Sequence, residues 1–360
     1  MVRLADGAWL TMAQARRLYP DFDLTRSWAL PSVAPLPEDE TLEAYLRRIG
    51  FTSAQLDYAR RSWVNAAGEA IDRLSATAAL QDMGILPVEG DSFYGSPLPS
   101  SGDGDYRIAE GYDRLHAWLA RGLEIRLNAV VDVVEWDDRG VAVHLRSGEI
   151  VRGDRAIVTV PLGVLKAGAI RFAPALPADK QAAIDALQMG PALKLVYRFA
   201  APPLPGVWAL YSALNPPMWW TPQPDATGEQ VWTAFATGDY ARALLADGEE
   251  AALAQGLKTL RAELGQPTLK PLDQRIINWA ADPFALGGYS SVPPGAVGAR
   301  EVLARPIGDR LFFAGEAAAP HPWAATVHGA YMTGRRAAHA ILSAGVERNE
   351  HDSAQVSLQG

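Results

Sequence analysis

At 360 residues the chain is long enough for two intertwined domains with a sizeable core. Hydrophobic residues make up 49% and charged residues 21%, as in globular proteins, and no run approaches the roughly 18 apolar residues of a membrane span. A formal net charge of -8 argues against general nucleic-acid binding, and the lack of cysteine excludes disulfides, thiolate metal sites, iron–sulfur clusters and cofactors tethered through cysteine.

The start, MVRLADGAWL, carries no signal-peptide pattern, so a cytoplasmic location is expected. Residues 1–37 have little periodicity and several prolines, which predicts irregular structure with a short helix around Met12 to Leu18. Leu42, Tyr45, Leu46 and Ile49 then form one helix face that Gly50 stops. Thr52 with Gln55 is a capping box for a helix over Ala54 to Ala67, and another helix is expected over Ala70 to Ala79. Asp91 to Asp105, rich in Ser, Gly, Pro and Asp, reads as a loop.

A helix over Tyr112 to Arg121, with Leu115, Trp118 and Leu119 inward, leads to a β-meander: Ala129 to Trp136, a turn at Asp137 to Gly140, Val141 to Leu145, and Glu149 to Arg152. Ala156 to Val160 is a continuous apolar run, expected as a strand buried on both faces and ended by Pro161. Helix Asp179 to Met189 precedes an alternating strand, Ala192 to Phe199. Strands at Val207 to Leu214, Gln230 to Thr237 and Arg275 to Trp279 then alternate with helices at Tyr240 to Leu245 and Glu249 to Gly265.

The stretch Leu311 to Ala338, LFFAGEAAAPHPWAATVHGAYMTGRRAA, is a short apolar strand, a sharp turn at Gly315-Glu316, a loop and a helix entered near Ala325-Thr326. Thr326 has the right type for a cap, and Val327, Ala330, Tyr331, Gly334, Ala338 and Ile341 recur at helical spacing. A helix start aimed back over a strand suits an anionic or electron-rich ligand, because its first N–H groups lack partners. Residues 343–360 lack apolar periodicity and are expected to be a disordered tail.

The literal string F-A-G-E, followed by T-V-H-G-A-Y-x-T-G, resembles the C-terminal flavin-binding signature of the FAD-dependent amine oxidases, the family of monoamine oxidases, polyamine oxidases and lysine-specific histone demethylases. The resemblance implies an α/β fold: an incomplete FAD-binding Rossmann-like domain interleaved with a sheet-and-helix substrate domain. Residues 1–105 would be a mostly helical part of the substrate domain, 106–172 a portion of the FAD domain, 173–295 the rest of the substrate domain, and 296–342 the C-terminal FAD-binding strand, turn and helix.

It further implies FAD contacts from Val130, Pro161, Trp279, Gly315, Glu316, Ala325, Thr326, Val327 and Ala330. Glu316 would meet the ribityl-pyrophosphate side and the amides near Val327 the pyrimidine edge. Trp279, Asp282-Pro283 and Gly288-Tyr289 match the family's W-x-x-D-P pattern, which puts Trp279 against the flavin and Tyr289 on its substrate side. Thr326 stands where a second aromatic wall would be, so a full aromatic cage is not expected. Lys194 matches the family's active-site lysine; by pattern alone it reads as an edge-strand lysine whose stem packs and whose ammonium reaches water. Trp219 and Trp220 read equally as channel lining or core.

The implied activity is oxidation of an amine to an imine, with a small-molecule amine and O2 as reactants. An L-amino-acid oxidase or another flavin oxidoreductase is an alternative, which a pocket arginine would favour. The sequence contains no strand–G-x-G-x-x-G–helix unit, the family's grip on the ADP half of FAD. Three readings stay open: a shortened form of a longer chain, one subunit of a split enzyme whose partner chain supplies that dinucleotide-binding unit, or a non-catalytic relic.

Overall fold

Thr41 and Ser75 start helices by one device: each hydroxyl oxygen accepts the amide N–H three residues on, Ala44 and Ala78, at 3.1 Å. In the computed structural model, which describes residues 38–83, 110–222 and 227–357 with shorter stretches besides, they open α1 (Leu42–Arg48) and α3 (Ala76–Asp82). Between them lies α2 (Ser53–Ala67), whose capping box is made in both directions, Thr52 N–H to Gln55 Oε1 at 2.8 Å and Gln55 N–H to Thr52 Oγ1 at 3.3 Å. Leu42, Tyr45, Leu46, Leu56, Trp63 and Leu80 bury together from all three helices. The expected helix over Ala70 to Ala79 begins only at Ala76, because the preceding residues turn back onto α1, where Glu43 N–H reaches Ile71 O at 2.9 Å.

Most of residues 1–37 and the loop Asp91 to Asp105 lie outside the described residues. Of those described, Val2–Arg3 (β1) and Trp9–Leu10 (β2) pair as antiparallel strands where irregular structure was expected, and Ala13, Gln14 and Arg17 are helical. The helix α4 (Asp113–Leu119) corrects the expected inward face: none of its residues is buried, and Trp118 is 58% exposed, because no described element covers it.

The meander forms as expected from β3 (Val131–Asp137), β4 (Gly140–Leu145) and β5 (Ile150–Gly153). Asp137 closes the β3–β4 turn by accepting N–H bonds from Arg139 and Gly140 at 2.7 and 3.2 Å. Strand β6 (Ala156–Val158) leaves this sheet, whose order is β5-β4-β3-β7, with β7 (Arg171–Ala173) parallel to β3. Short helices α5 (Leu162–Lys166) and α6 (Ala178–Ala186) and strand β8 (Gln188–Met189) follow. The expected helix to Met189 thus stops early, its last residues pairing instead with Ser290 and Ser291.

Next come β9 (Ala192–Phe199), β10 (Ala209–Tyr211), β11 (Met218–Trp220), β12 (Gln230–Thr237), α7 (Gly238–Leu245), α8 (Glu249–Leu264) and β13 (Asp273–Asn278). These strands, with β1 and β2, make a seven-stranded sheet ordered β13-β9-β12-β11-β10-β1-β2. Alternation sorts β9 cleanly: Leu193, Leu195, Tyr197 and Phe199 bury in one core with Leu244, Ala252 and Leu260, while Lys194 and Val196 face the other way and are half-buried.

The chain ends with β14 (Ser290–Ser291), α9 (Ala299–Ala304), β15 (Leu311–Phe313) and α10 (Val327–Ser357). Among the described residues β15 pairs as a strand only with β6, in parallel, and a core beside this pair gathers on Phe313, Leu311, Leu162, Ile184 and Val134. Two expectations fail in α10. The disordered tail is helix through Ser357: residues 346–357 hold neither Gly nor Pro, and extending a formed helix costs little. The inward residues are Gly329, Thr333 and Ala337, with Ile341 packed on Phe312, whereas Val327, Tyr331 and Ala338 are exposed. Hydrogen bonding by Thr333 fixes this face rather than apolar periodicity.

Candidate functional site

At the end of β15 the backbone turns at Gly315, whose φ of +124° favours glycine. Thr333, fully buried on α10, locks that turn: its oxygen accepts Gly315 N–H at 2.9 Å, and its proton goes to Ala330 O at 2.8 Å, with Gly315 O at 3.2 Å. The next residue, Glu316, accepts three bonds: Ser290 N–H at 3.1 Å, Ser290 Oγ–H at 2.7 Å and Ala325 N–H at 3.1 Å. Arg300, itself buried, donates to Ser290 Oγ at 2.6 Å. A chain of polar contacts thus runs Arg300, Ser290, Glu316, Ala325, and it holds Ala325 at a φ of +58°, a conformation that costs a non-glycine residue energy.

The loop closes onto α10 through Thr326, whose oxygen accepts Gly329 N–H at 3.0 Å and whose proton goes to Trp323 O at 2.6 Å, as its type as a cap implies. Gly329 has no room for a Cβ, which would meet Trp323 O at 1.9 Å. On the other side, His321 Nδ1 lies 2.5 Å from Asp82 Oδ1, tying the loop to α3.

Two cavities share this loop as a wall. A cleft of about 210 Å³ is lined by Thr159, Pro161, Met189, Gly288, Gly315, Glu316 and Ala330. A second cavity of about 250 Å³ is lined by Trp63, Asp82, Ser291, Arg300, Ala325 and Thr326. A larger groove of about 790 Å³ lies on the meander between Trp136, Arg139 and Arg152 and contains none of the expected residues. The cleft is the candidate site, because the sharp turn, the pinned loop and the start of α10 converge there.

Pro161, Gly315, Glu316 and Ala330 therefore come together on one cleft, and Ala325 and Thr326 on the adjoining cavity. Val327 is exposed as the first residue of α10. Tyr289 sits between Gly288 and Ser290, one in each lining; its hydroxyl donates to Asn65 O at 2.6 Å, and burial pushes its pKa well above the usual phenol value. A Cβ on Gly68, the left-handed cap of α2, would meet the Tyr289 ring at 2.7 Å.

Lys194 and Trp279 lie apart from the cleft lining, on the seven-stranded sheet. Trp279 follows β13, bonds Ala192 O through its N–H at 3.2 Å and is 43% exposed. The Lys194 ammonium stands 5.9 Å from the centroid of the Trp220 ring. Trp220 and Phe235 share this open face, whereas Trp219 is core, its Nε1–H on Pro216 O. Val130 lies just ahead of β3, and its carbonyl accepts Arg146 N–H at 2.8 Å.

Ser290, Arg300, Asn65 and the Asp82–His321 pair escaped the sequence reading, whereas Thr333 stood in the quoted string without its clamp on Gly315 being foreseen. Each acts across 10 to 239 positions of sequence, and no local pattern marks such contacts.

The arrangement fits one half of a flavin dinucleotide. A glycine turn, small residues and the first N–H groups of α10 can meet an electron-rich ring edge, while no G-x-G-x-x-G turn is present for the second phosphate-bearing half. Residues 12–342 match the family described as flavin containing amine oxidoreductase. Lysine-specific histone demethylase 1 homolog 2 of Arabidopsis thaliana is 34% identical over 258 residues, covering 68% of this chain and 34% of that protein. Polyamine oxidase 4 of Oryza sativa subsp. japonica is 35% identical over 238 residues, covering 64% of this chain and 48% of its own. The chain thus spans half or less of these curated relatives. Among solved structures, a putrescine oxidase variant superposes with a TM-score of 0.70 at 19% identity, covering 91% of this chain and 74% of that one. Cyclohexylamine oxidase from Brevibacterium oxydans also gives 0.70 at 19%, with coverages of 94% and 77%.

Proposed function

The chain belongs to the flavin-containing amine oxidoreductases, and from that premise we propose that it takes part in the FAD-dependent oxidation of a small amine, of the polyamine or monoamine class, to an imine. The observation that carries this reading is the cleft at the β15–α10 turn, where Gly315, Glu316 and Ala330 meet Pro161 inside the matched residues. FAD supplies the two-electron acceptor, and dioxygen takes those electrons on as hydrogen peroxide. Water hydrolyses the imine to an aldehyde and the released amine.

The protein's part is positional. Thr326 takes the Gly329 N–H and so fixes the start of α10, whose amides near Val327 would meet a ring edge, and Glu316 fixes the loop that leads there. Tyr289, anchored on Asn65 and kept protonated by burial, forms a rigid wall on the substrate side. Outside the cleft lining itself, Lys194 on β9 would handle the proton during reoxidation, and Trp279, directly after β13, would face the flavin. We assign the ADP half of FAD to a dinucleotide-binding unit outside this sequence.

The visible spectrum of the purified chain with added FAD tests the reading, followed by peroxide detection over mono- and polyamines. Oxidised-flavin bands that bleach anaerobically with an amine are expected once the second unit is supplied. Bands that never bleach with any amine would overturn the amine assignment. In such a complex Lys194→Met should slow reoxidation by air while leaving anaerobic bleaching intact.

A further inference from the structure

We propose that the 250 Å³ cavity beside the cleft is a recognition site for the ammonium end of a short-chain amine, with Asp82 as its counter-charge. This rests on the amine reading above and narrows it to amines that carry no carboxylate.

Leu42, Leu74, Met83 and Val292 line the cavity together with Trp63, so most of its wall is apolar. Its volume lies below the roughly 300–1,000 Å³ of sites for drug-sized ligands, which suits a molecule of a few carbon atoms. Ala325 and Thr326 belong to the same lining, so an occupant touches the loop that leads into α10.

Charge decides the class of ligand. Two charged side chains line the cavity, Arg300 and Asp82, and only the second is open to a ligand. Arg300 is 3% exposed. Its Nη1 donates to Ser290 Oγ at 2.6 Å and lies 3.2 Å from Ala317 O, while its Nη2 donates to Ser290 O at 3.1 Å. The remaining nitrogen, Nε, has no partner but is sealed from contact with a water-sized molecule. The guanidinium is therefore spent on the strut to Glu316, whose carboxylate sits on the same Ser290 hydroxyl and offsets its charge. A ligand carboxylate would find no donor fork here.

Asp82 is the opposite case. Its side chain is 45% exposed. His321, itself buried, takes Oδ1 through Nδ1 at 2.5 Å, and among the described residues no donor reaches Oδ2. Asp82 also ends α3, where the helix dipole disfavours a negative charge and favours a cation. An ammonium entering an apolar cavity needs such a partner, because an unpaired charge there is costly. Trp63 adds an aromatic wall, which attracts organic cations.

The experiment titrates the purified chain, without flavin, with n-butylammonium, 1-butanol and butyrate at constant ionic strength, and follows binding by calorimetry. Asp82→Asn removes the charge and keeps an oxygen for His321. Ala79→Leu fills the cavity from α3 and leaves the carboxylate in place. Butylammonium is expected to bind at least ~10-fold tighter than butanol or butyrate, to lose that advantage in Asp82→Asn, and to be excluded by Ala79→Leu. Butyrate binding as tightly as butylammonium would overturn the proposal and give the cavity to Arg300. No binding of butylammonium, or binding untouched by either variant, would overturn it equally. Thermal unfolding of the variants checks that they fold. Because neither flavin nor turnover enters these titrations, their failure is distinct from failure of the amine oxidation reading, which the bleaching of bound flavin tests.

Discussion

Single side chains do more here than their chemistry suggests. Thr333 is one buried hydroxyl, yet it holds both the turn at Gly315 and the first turns of α10. Thr333→Val keeps the shape and strands the Gly315 N–H without an acceptor, which costs roughly 1–3 kcal/mol. Denaturant unfolding should show that loss, with Thr333→Ser recovering most of it; equal stability of Thr333→Val and the parent would mean the clamp contributes nothing. Lys180 gives a second case. Its ammonium, 3% exposed, donates to the carbonyls of Val302, Leu303 and Arg305 at the end of α9 and stands 4.2 Å from the centroid of Phe313. Burial pushes its pKa down to about 8 from the usual 10.5. Between those values the unfolded chain binds the proton that the folded chain has released, so stability rises with pH over that window and is lower below it. The stability of the parent relative to Lys180→Met should therefore increase between pH 7.5 and about 10, and a flat difference would contradict this sign.

Elements show why the sequence was only partly legible. Where local pattern and tertiary need coincide, the reading was close: the capping box at Thr52, the alternation of Ala192 to Phe199 and the strand Leu311 to Phe313 stand where expected. Where a long-range bond decides, local pattern points the wrong way. The apolar positions Val327, Tyr331 and Ala338 of α10 face solvent because Thr333 must reach Gly315. The site divides likewise: the string around Gly315 and Thr326 was readable, but the strut from Arg300 through Ser290 to Glu316 was not, since its members lie on three separate elements. That strut makes a prediction at this scale. Glu316→Gln turns one oxygen into a donor facing Ser290 and Ala325, both already donors, and releases Ala325 from its left-handed conformation. Faster exchange of the Ala325 and Gly329 amides should follow, with β9 unchanged; unchanged exchange at Ala325 would mean that the loop is held by other contacts.

At the scale of the whole molecule, the three larger of the four apolar clusters among the described residues differ in completeness. The helical cluster around Tyr45 and the cluster under the seven-stranded sheet around Trp219 and Trp232 are closed by their own elements. The cluster around Phe313 is closed on the α9 side but rests in part on a two-strand sheet whose outer edge has no partner strand among the described residues. Local opening follows such differences, because regions with few covering contacts open at lower free energy than central strands. In the chain by itself, the amides of Ala156 and Val158 should therefore exchange well before those of Leu195 and Ala234 in the middle of the larger sheet. Heating should give a lower transition from the Phe313 cluster, separate from that of the seven-stranded sheet, rather than one cooperative step. A single calorimetric transition, with equal protection at Val158 and Leu195, would mean that this edge costs the fold nothing and that the Phe313 core is complete as it stands.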